Sequence, residues 1–267
     1  MRVGIGVNEW AQGLPSALAK ACEELTLDYQ IIDFMNIGEV DVTHLAPALL
    51  YLKPNAHKLY RELEVRGIKV LNPINAIEIA DDKAATYRAL GEIHLATTVI
   101  DLDLAQMRSA FLDSPTVYKR THGGQGRWVR LARDVSEIAA IYNEFVAEGP
   151  SKIVVQRYVE EAADQTIRVI VTGGRVLAAT IRTATMDFRS NISMGGIQKR
   201  VQLIDNEPAL AIAAAEIIGL GHAGVDLIRT NTGTKVLEVN ACPDFTSMKD
   251  LSDIDIAQEV IKTLLLK

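Results

Sequence analysis

Residues 225–229 and 236–240 are two apolar-alternating runs on either side of Asn231-Thr232-Gly233. That pattern specifies a β-hairpin. With the turn centred on Thr232, Asp226 stands directly opposite Glu238, and opposed residues hold their Cβ atoms roughly 4.5–5.5 Å apart. Side chains alternate along a strand, so Asn240 shares that face, while Val225, Leu227, Leu237 and Val239 turn to the core. Two carboxylates so close repel unless a cation stands between them. Asp, Glu and Asn are hard oxygen donors of the kind magnesium takes alongside phosphate oxygens. Pairing with lysines, or solvation, relieves the same repulsion, so spacing alone leaves both readings open.

The remaining chain reads as a mixed α/β and α+β fold. Residues 2–7 and 29–33 are expected strands, 12–27 a helix burying Leu14, Leu18, Ala21, Cys22 and Leu25, 55–66 a second helix and 68–70 a strand stopped by Asn72-Pro73. Helices over 74–80, 82–91 and 135–147 and strands over 116–119 and 128–131 follow. Strands over 153–156, 165–172 and 176–181, then helices over 206–219 and 253–267, complete the pattern, with Gly173-Gly174-Arg175 as a hairpin turn. The expected units are an α/β domain over 1–72, a central α+β unit over 73–155 and a C-terminal α+β unit over 156–267.

Composition narrows the function classes. The 267 residues carry 28 Lys and Arg against 34 Asp and Glu, a net charge of −6, which argues against nucleic acid as the partner. No run approaches the ~18 apolar residues of a membrane span. The N-terminus lacks the apolar stretch of a signal peptide. Cys22 and Cys242 form no C-x-x-C. A cytoplasmic protein, without membrane or nucleic-acid partners, is expected.

Positive charge is nevertheless concentrated. Residues 114–133 contain Lys119, Arg120, Arg127, Arg130 and Arg133 and no acid, around Gly123-Gly124-Gln125-Gly126. Such glycines let backbone N–H groups approach phosphate oxygens. The segment lacks the Gly-Lys-Ser/Thr of a P-loop and opens no helix as a dinucleotide fingerprint would. A plain glycine-rich turn has the same composition. Asp187-Phe188-Arg189-Ser190-Asn191, followed by Gly195-Gly196, is a second polar loop between strands, suited to binding or to an ordinary turn. No G-x-S-x-G and no close Cys/His pair supports a nucleophilic hydrolase.

Taken in order, these motifs resemble the ATP-grasp superfamily and, within it, the RimK-like carboxylate–amine ligases. The matching residues are Asp82-Lys83, Tyr118-Lys119, Gly123-Gly124-Gln125-Gly126, Val155-Gln156-Arg157-Tyr158-Val159, Ile167-Arg168-Val169, the 187–191 loop with Gly195-Gly196, Ala223-Gly224-Val225-Asp226 and Glu238-Val239-Asn240-Ala241. The resemblance implies an ATP-grasp fold behind a short N-terminal α/β (pre-ATP-grasp) domain. It implies that Lys83 and Lys119 contact ATP phosphates beneath the glycine loop, and that Gln156, Arg157, Tyr158 and Val159 form the hinge that reads adenine. Asp226, Glu238 and Asn240 would hold magnesium, with manganese as the substitute ion. Arg189, Ser190 and Asn191 would hold phosphate and the acyl intermediate, with Arg168 and Arg182 as further catalytic cations.

The implied reaction is ADP-forming. A carboxylate attacks the γ-phosphate, and an amine displaces phosphate from the acyl phosphate to give an amide. The implied partners are ATP, an amino acid or other amine, and a carboxylate on a peptide, protein or small molecule; a homo-oligomer is compatible with the resemblance. Three positions depart from the family pattern. Arg157 stands where Glu is usual, Thr166 stands where an acid would meet the ribose, and Cys242-Pro243-Asp244 replaces Ser-Pro-Gly. Asp164 and Glu161 are the candidates to replace the missing acid. The alternative that Arg157, Thr166 and the short chain favour is a module that binds ATP without ligation.

Overall fold

A computed structural model describes residues 2–7, 13–33, 45–49 and 57–266. Strands β1 (Arg2–Val7), β2 (Asp28–Asp33), β3 (Leu45–Leu49) and β4 (Val70–Leu71) form a parallel sheet in the order β2-β1-β3-β4. Helix α1 (Leu14–Glu24) links the first two strands and α2 (His57–Val65) the last two. The expected starts of these helices, at Gln12 and at Asn55, lie outside the described residues. β3 carries no strand signal in its residues, since Leu-Ala-Pro-Ala-Leu has neither alternation nor β-branching. Its pairing with β1 steps from Arg2↔Leu45 to Gly4↔Ala48. That irregularity accommodates Pro47, which has no N–H for the ladder.

Just beyond β4 one side chain bonds the chain to the C-terminal half. Asn72 is buried, and its Nδ2 donates to the carbonyls of His222 and Ala241, both at 2.7 Å, while its Oδ1 accepts from the His222 N–H at 2.9 Å. A single amide thus satisfies three backbone groups, two on β12 and one in the loop after β13.

The second sheet is antiparallel. Strands β5 (Thr98–Asp101), β6 (Thr116–Arg120), β7 (Val129–Ala132) and β8 (Lys152–Arg157) lie in the order β5-β8-β6-β7. Helices α5 (Leu104–Ser109) and α6 (Ile138–Ala147) cover it, burying Met107, Ile138 and Phe145 against Tyr118 and Ile153. The sequence reading lacked β5 and α5, each too short for its period to show. Two helices that precede this sheet, α3 (Ile74–Asp81) and α4 (Lys83–Leu90), pack instead on the third sheet.

That third sheet is also antiparallel. It comprises β9 (Gln165–Thr172), β10 (Arg175–Thr183), β11 (Ile197–Arg200), β12 (His222–Thr230) and β13 (Gly233–Asn240), ordered β11-β10-β9-β12-β13. Gly173 and Gly174 both have positive φ, 57° and 71°, as a two-residue β9–β10 turn requires. One face packs on α3 and α7 (Glu207–Ile218) through Val169, Val225, Val236 and Val239. The other packs on α8 (Ile256–Leu265), which also receives α1 through Leu14, Leu18 and Cys22. No helix among the described residues is long and apolar enough to cross a membrane.

The β12–β13 register corrects the sequence reading in one respect. Asp226 does pair with Glu238, but Thr230 pairs with Gly233 and Leu227 with Val236. The turn is therefore the two residues Asn231-Thr232, and a bulge at Leu237 supplies the extra residue. Val236 takes the core position expected for Leu237, and Leu237 faces the cleft.

Asn72→Ala would strand three buried backbone groups. It is expected to lower unfolding free energy by about 3 kcal/mol, measured as a shift of the denaturant midpoint without change of slope.

Candidate active site

The second and third sheets face each other across a cleft with about 890 Å³ of empty space. One end is apolar. Leu95 and Val159 pack with Ala162, Ile228 and the bulged Leu237, and Val117 completes the wall. Gln156 is buried on β8, and its Nε2 donates to Thr97 Oγ1 at 2.8 Å, which fixes the amide beside this slot.

The other end is charged, and its geometry follows from strand register. Arg168 on β9 pairs with Asp226 on β12, which pairs with Glu238 on β13. The three side chains form one row across the sheet. Arg168 Nε and Nη2 donate to the two oxygens of Asp226 at 2.6 and 2.7 Å, and both residues are buried. Burial disfavours the Arg168 charge, but Asp226 outweighs it and raises the guanidinium further. At the end of the row Glu238 meets Lys83 Nζ at 3.4 Å. Burial opposes the Glu238 charge too, yet Lys83, Lys119 and Arg168 together hold it below the usual carboxylate range.

Lys83 is placed by its helix. Asp82 caps α4, accepting from the N–H groups of Ala84 at 2.8 Å and Ala85 at 3.3 Å, so the next side chain starts the helix at the cleft edge. Its ammonium also donates to the Gly123 carbonyl at 2.7 Å. Lys119 lies on β6, 9% exposed, and burial pushes it down to about 8 despite the attraction of Glu238. Arg182, on β10, lies 4.0 Å from Asp226 and is depressed to about 10, by burial first and by Arg168 second.

Two loops close the cleft. Gly126 has φ +72°, and a Cβ there would lie 2.8 Å from Asn191 Oδ1. Arg189 Nη1 donates to the Gly126 carbonyl at 3.0 Å, and Ser193 Oγ to the Gln125 carbonyl at 3.4 Å. The glycine loop is therefore held by Lys83 on one side and by the 189–193 segment on the other. Arg189 is also paired with Asp187.

The cleft gathers Lys83, Lys119, Gly123, Gly126, Gln156, Arg157, Tyr158, Val159, Asp164, Arg182, Arg189, Ser190, Asn191, Asp226 and Glu238. Gly124, Gln125, Arg168 and Asn240 do not line it; Arg168 lies in the row beside Asp226. Asn240 is exposed at the end of β13, where its Oδ1 accepts from the Cys242 N–H at 2.9 Å. The departures from the family pattern have local explanations. Arg157 turns outward to Glu161 at 2.7 Å, and that bond draws Glu161 down to about 2. Thr166 Oγ1 lies 2.6 Å from Ser190 Oγ. Of the two candidate acids only Asp164 lines the cleft, where it accepts from the Tyr158 hydroxyl. Sequence reading missed Leu95, Val117, Ile228 and Leu237, single apolar positions whose convergence has no local signal.

A divalent cation fits the donor set. Asp226 and Glu238 face one another, and each carboxylate oxygen of Asp226 keeps a lone pair beside its Arg168 bond, whereas the Asn240 amide oxygen accepts from the Cys242 N–H outside the cleft lining. Among the described residues no three His, Cys, Asp or Glu side chains are gathered for a metal.

Residues 82–264 match the RimK-like ATP-grasp domain. A protein of Maridesulfovibrio salexigens described as "Probable alpha-L-glutamate ligase" is 33% identical over 207 residues, covering 75% of this chain and 68% of the relative. A RimK domain ATP-grasp protein of Sphaerobacter thermophilus superposes over 100% of both chains with a TM-score of 0.77 at 20% identity. The ATP-grasp ligase PsnB, solved with a minimal precursor, Mg and ADP, covers 98% of this chain and 96% of its own, with a TM-score of 0.71 at 18% identity.

With burial lowering Lys119 to about 8, its charge is expected to fall away as pH rises past that value. ATP affinity is expected to be flat below that pH and to weaken by up to about tenfold per unit above it. Titration calorimetry across pH checks this, and Lys119→Arg should remove the alkaline fall.

Proposed function

The chain belongs to the RimK-like ATP-grasp family, and from that premise we propose which residues carry its reaction and which substrates it joins. It is an ATP-dependent carboxylate–amine ligase, forming a C–N bond. The observation that carries the assignment of roles is the gradient along one cleft, from an apolar slot at Leu95, Ile228 and Leu237 to a cationic end at Lys83, Lys119 and Arg182.

The adenine occupies the apolar slot. The Tyr158 N–H is committed to the Pro115 carbonyl at 2.9 Å, which leaves the Val159 N–H and the Gln156 amide to meet the base. Asp164 takes the ribose, in place of the acid that Thr166 replaces. Lys83, Lys119 and the glycine-loop backbone hold the phosphates, and Arg189, Ser190 and Asn191 hold the transferred phosphoryl group. Phosphoryl transfer needs little covalent help from protein; positioning and charge neutralisation supply most of it. Asp226, Glu238 and Asn240 hold magnesium, or manganese in its place, which when bound adds positive charge against the phosphate oxygens.

A substrate carboxylate attacks the γ-phosphorus, ADP leaves, and an acyl phosphate forms. Arg182 and Arg168 offset the negative charge at that end. The closed loops keep water from the acyl phosphate until an amine attacks. We place the protein in the cytoplasm, where ATP is supplied. L-glutamate is the proposed amine and a peptide or protein carboxylate the proposed acceptor, in line with the description of the relatives. The cationic reacting end favours this reading over nucleotide binding without ligation.

ADP release measured for proteinogenic amino acids against a panel of peptide carboxylates should require both substrates and be greatest with L-glutamate. Release that ignores the amine would contradict ligation. Glu238→Gln leaves Lys83 its Gly123 bond and is expected to slow turnover by about 100-fold or more with folding intact.

A further inference from the structure

The segment that enters β5 joins the two sheets that wall the cleft. The Leu95 N–H donates to the Val236 carbonyl on β13 at 2.8 Å. Two residues on, Thr97 precedes β5, whose register against β8 begins at Thr98↔Val155. One more step of that antiparallel register sets Thr97 opposite Gln156, and opposed residues share a face. Gln156 Nε2 accordingly donates to Thr97 Oγ1 at 2.8 Å. Gln156 lines the cleft and Thr97 does not.

The direction of these bonds is fixed by counting protons. A threonine hydroxyl has one. Thr97 Oγ1 lies 2.7 Å from the Leu95 carbonyl, which can only accept, so the proton is directed there. His94 Nδ1, at 3.5 Å, is the other side-chain group in reach of the hydroxyl. Either destination leaves Thr97 an acceptor toward Gln156, and the amide atom that meets it must be the nitrogen. Turning the amide over would set two oxygens 2.8 Å apart with no proton between them. Oε1 is therefore held on the side away from Thr97. It accepts from no described residue, yet it is not among the sealed polar atoms that lack a partner, which are His57 Nε2, Arg182 Nε and His222 Nε2. Gln156 is only 2% exposed, so Oε1 opens on the cleft that the residue lines, with Leu95, Val117 and Leu237 as the apolar neighbours of the slot.

We propose that Thr97 is a positioning residue for nucleobase choice: by holding Gln156 Nε2 it presents Oε1 to the slot as a fixed acceptor, and the cleft thereby selects a purine that carries an amino group at position 6. This rests on the placement of adenine in the apolar slot. The adenine amino group donates to Oε1. A purine with hydrogen at position 6 leaves that oxygen unpaired among apolar side chains, and a purine with oxygen there sets two acceptors face to face; both are costly in a site closed to water. An unfastened glutamine could turn its amide to suit either base. The hydroxyl removes that freedom, so selectivity comes from a residue outside the cleft lining.

The test compares two nucleotides that differ only at position 6. ATP and purine riboside 5′-triphosphate, which has hydrogen in place of the amino group and keeps N1 as an acceptor, are titrated with magnesium into wild type and variants by calorimetry. Wild type is expected to bind ATP at least about tenfold more tightly than the analogue. Thr97→Val keeps the shape of the side chain and removes the hydroxyl, and is expected to bring the ratio to about threefold or less. Thr97→Ala should give the same fall, and Thr97→Ser, which restores the hydroxyl, the wild-type ratio. A merely structural role would weaken both nucleotides alike. An unchanged ratio in Thr97→Val and Thr97→Ala overturns the role of Thr97 while leaving the nucleotide site intact. Equal affinities in wild type overturn Oε1 as the acceptor. Wild-type protein that binds neither nucleotide overturns the nucleotide site itself, and the positioning role with it.

Discussion

The bidentate pair between Arg168 and Asp226 is the interaction on which the rest of the cleft depends. Both side chains are buried, and removing either partner from such a pair typically costs about 3–5 kcal/mol, because the survivor keeps its charge away from water. The pair fastens β9 to β12 at the floor of the site. It holds Asp226 beside Glu238, and Lys83 extends the row to a helix start on the far side. The row runs Arg168, Asp226, Glu238, Lys83, a cation at each end and two adjacent acids between, which is where an added cation is favoured. Lys119 and Arg182 flank it and give the end its positive excess.

The two walls of the cleft come from different sheets and are joined through backbone rather than through a large apolar contact. Lys83 holds the Gly123 carbonyl and Arg189 the Gly126 carbonyl. Both arginine and lysine are also groups proposed to hold phosphate. Nucleotide binding and loop closure therefore draw on the same cations, and release of product requires the same bonds to rearrange. The apolar slot sets orientation, since a base gains by leaving water there and a triphosphate does not. Asn72 bonds the end of the N-terminal sheet to β12 and to the loop after β13, and the apolar core shared by β1, α1, β9 and α8 holds the two units together.

Much of this arrangement was legible in the sequence, though not always for the right reason. The opposition of Asp226 and Glu238 follows from a three-residue turn on paper, and arises in fact from a two-residue turn plus a bulge at Leu237. The two errors cancel at Glu238 and fail to cancel at Leu237, which changes face. The glycine loop and the Arg189 loop could be read from composition, but not their attachment to each other, because that depends on how two sheets face. Arg168 could be read as a cation but not as the partner of Asp226, since strands 58 residues apart are neighbours only once the sheet order is known. β3 was hidden by a proline placed at an irregular pairing, and Leu95 and Ile228 by having no pattern of their own.

The central claim is that the charged end of the cleft transfers phosphate from ATP to a carboxylate oxygen. It is tested most directly by supplying the carboxylate substrate labelled with ¹⁸O and analysing the phosphate released during amide formation. Attack by the carboxylate on phosphorus followed by amine displacement predicts ADP and phosphate carrying one ¹⁸O per turnover. Unlabelled phosphate, or AMP and pyrophosphate as products, would contradict it.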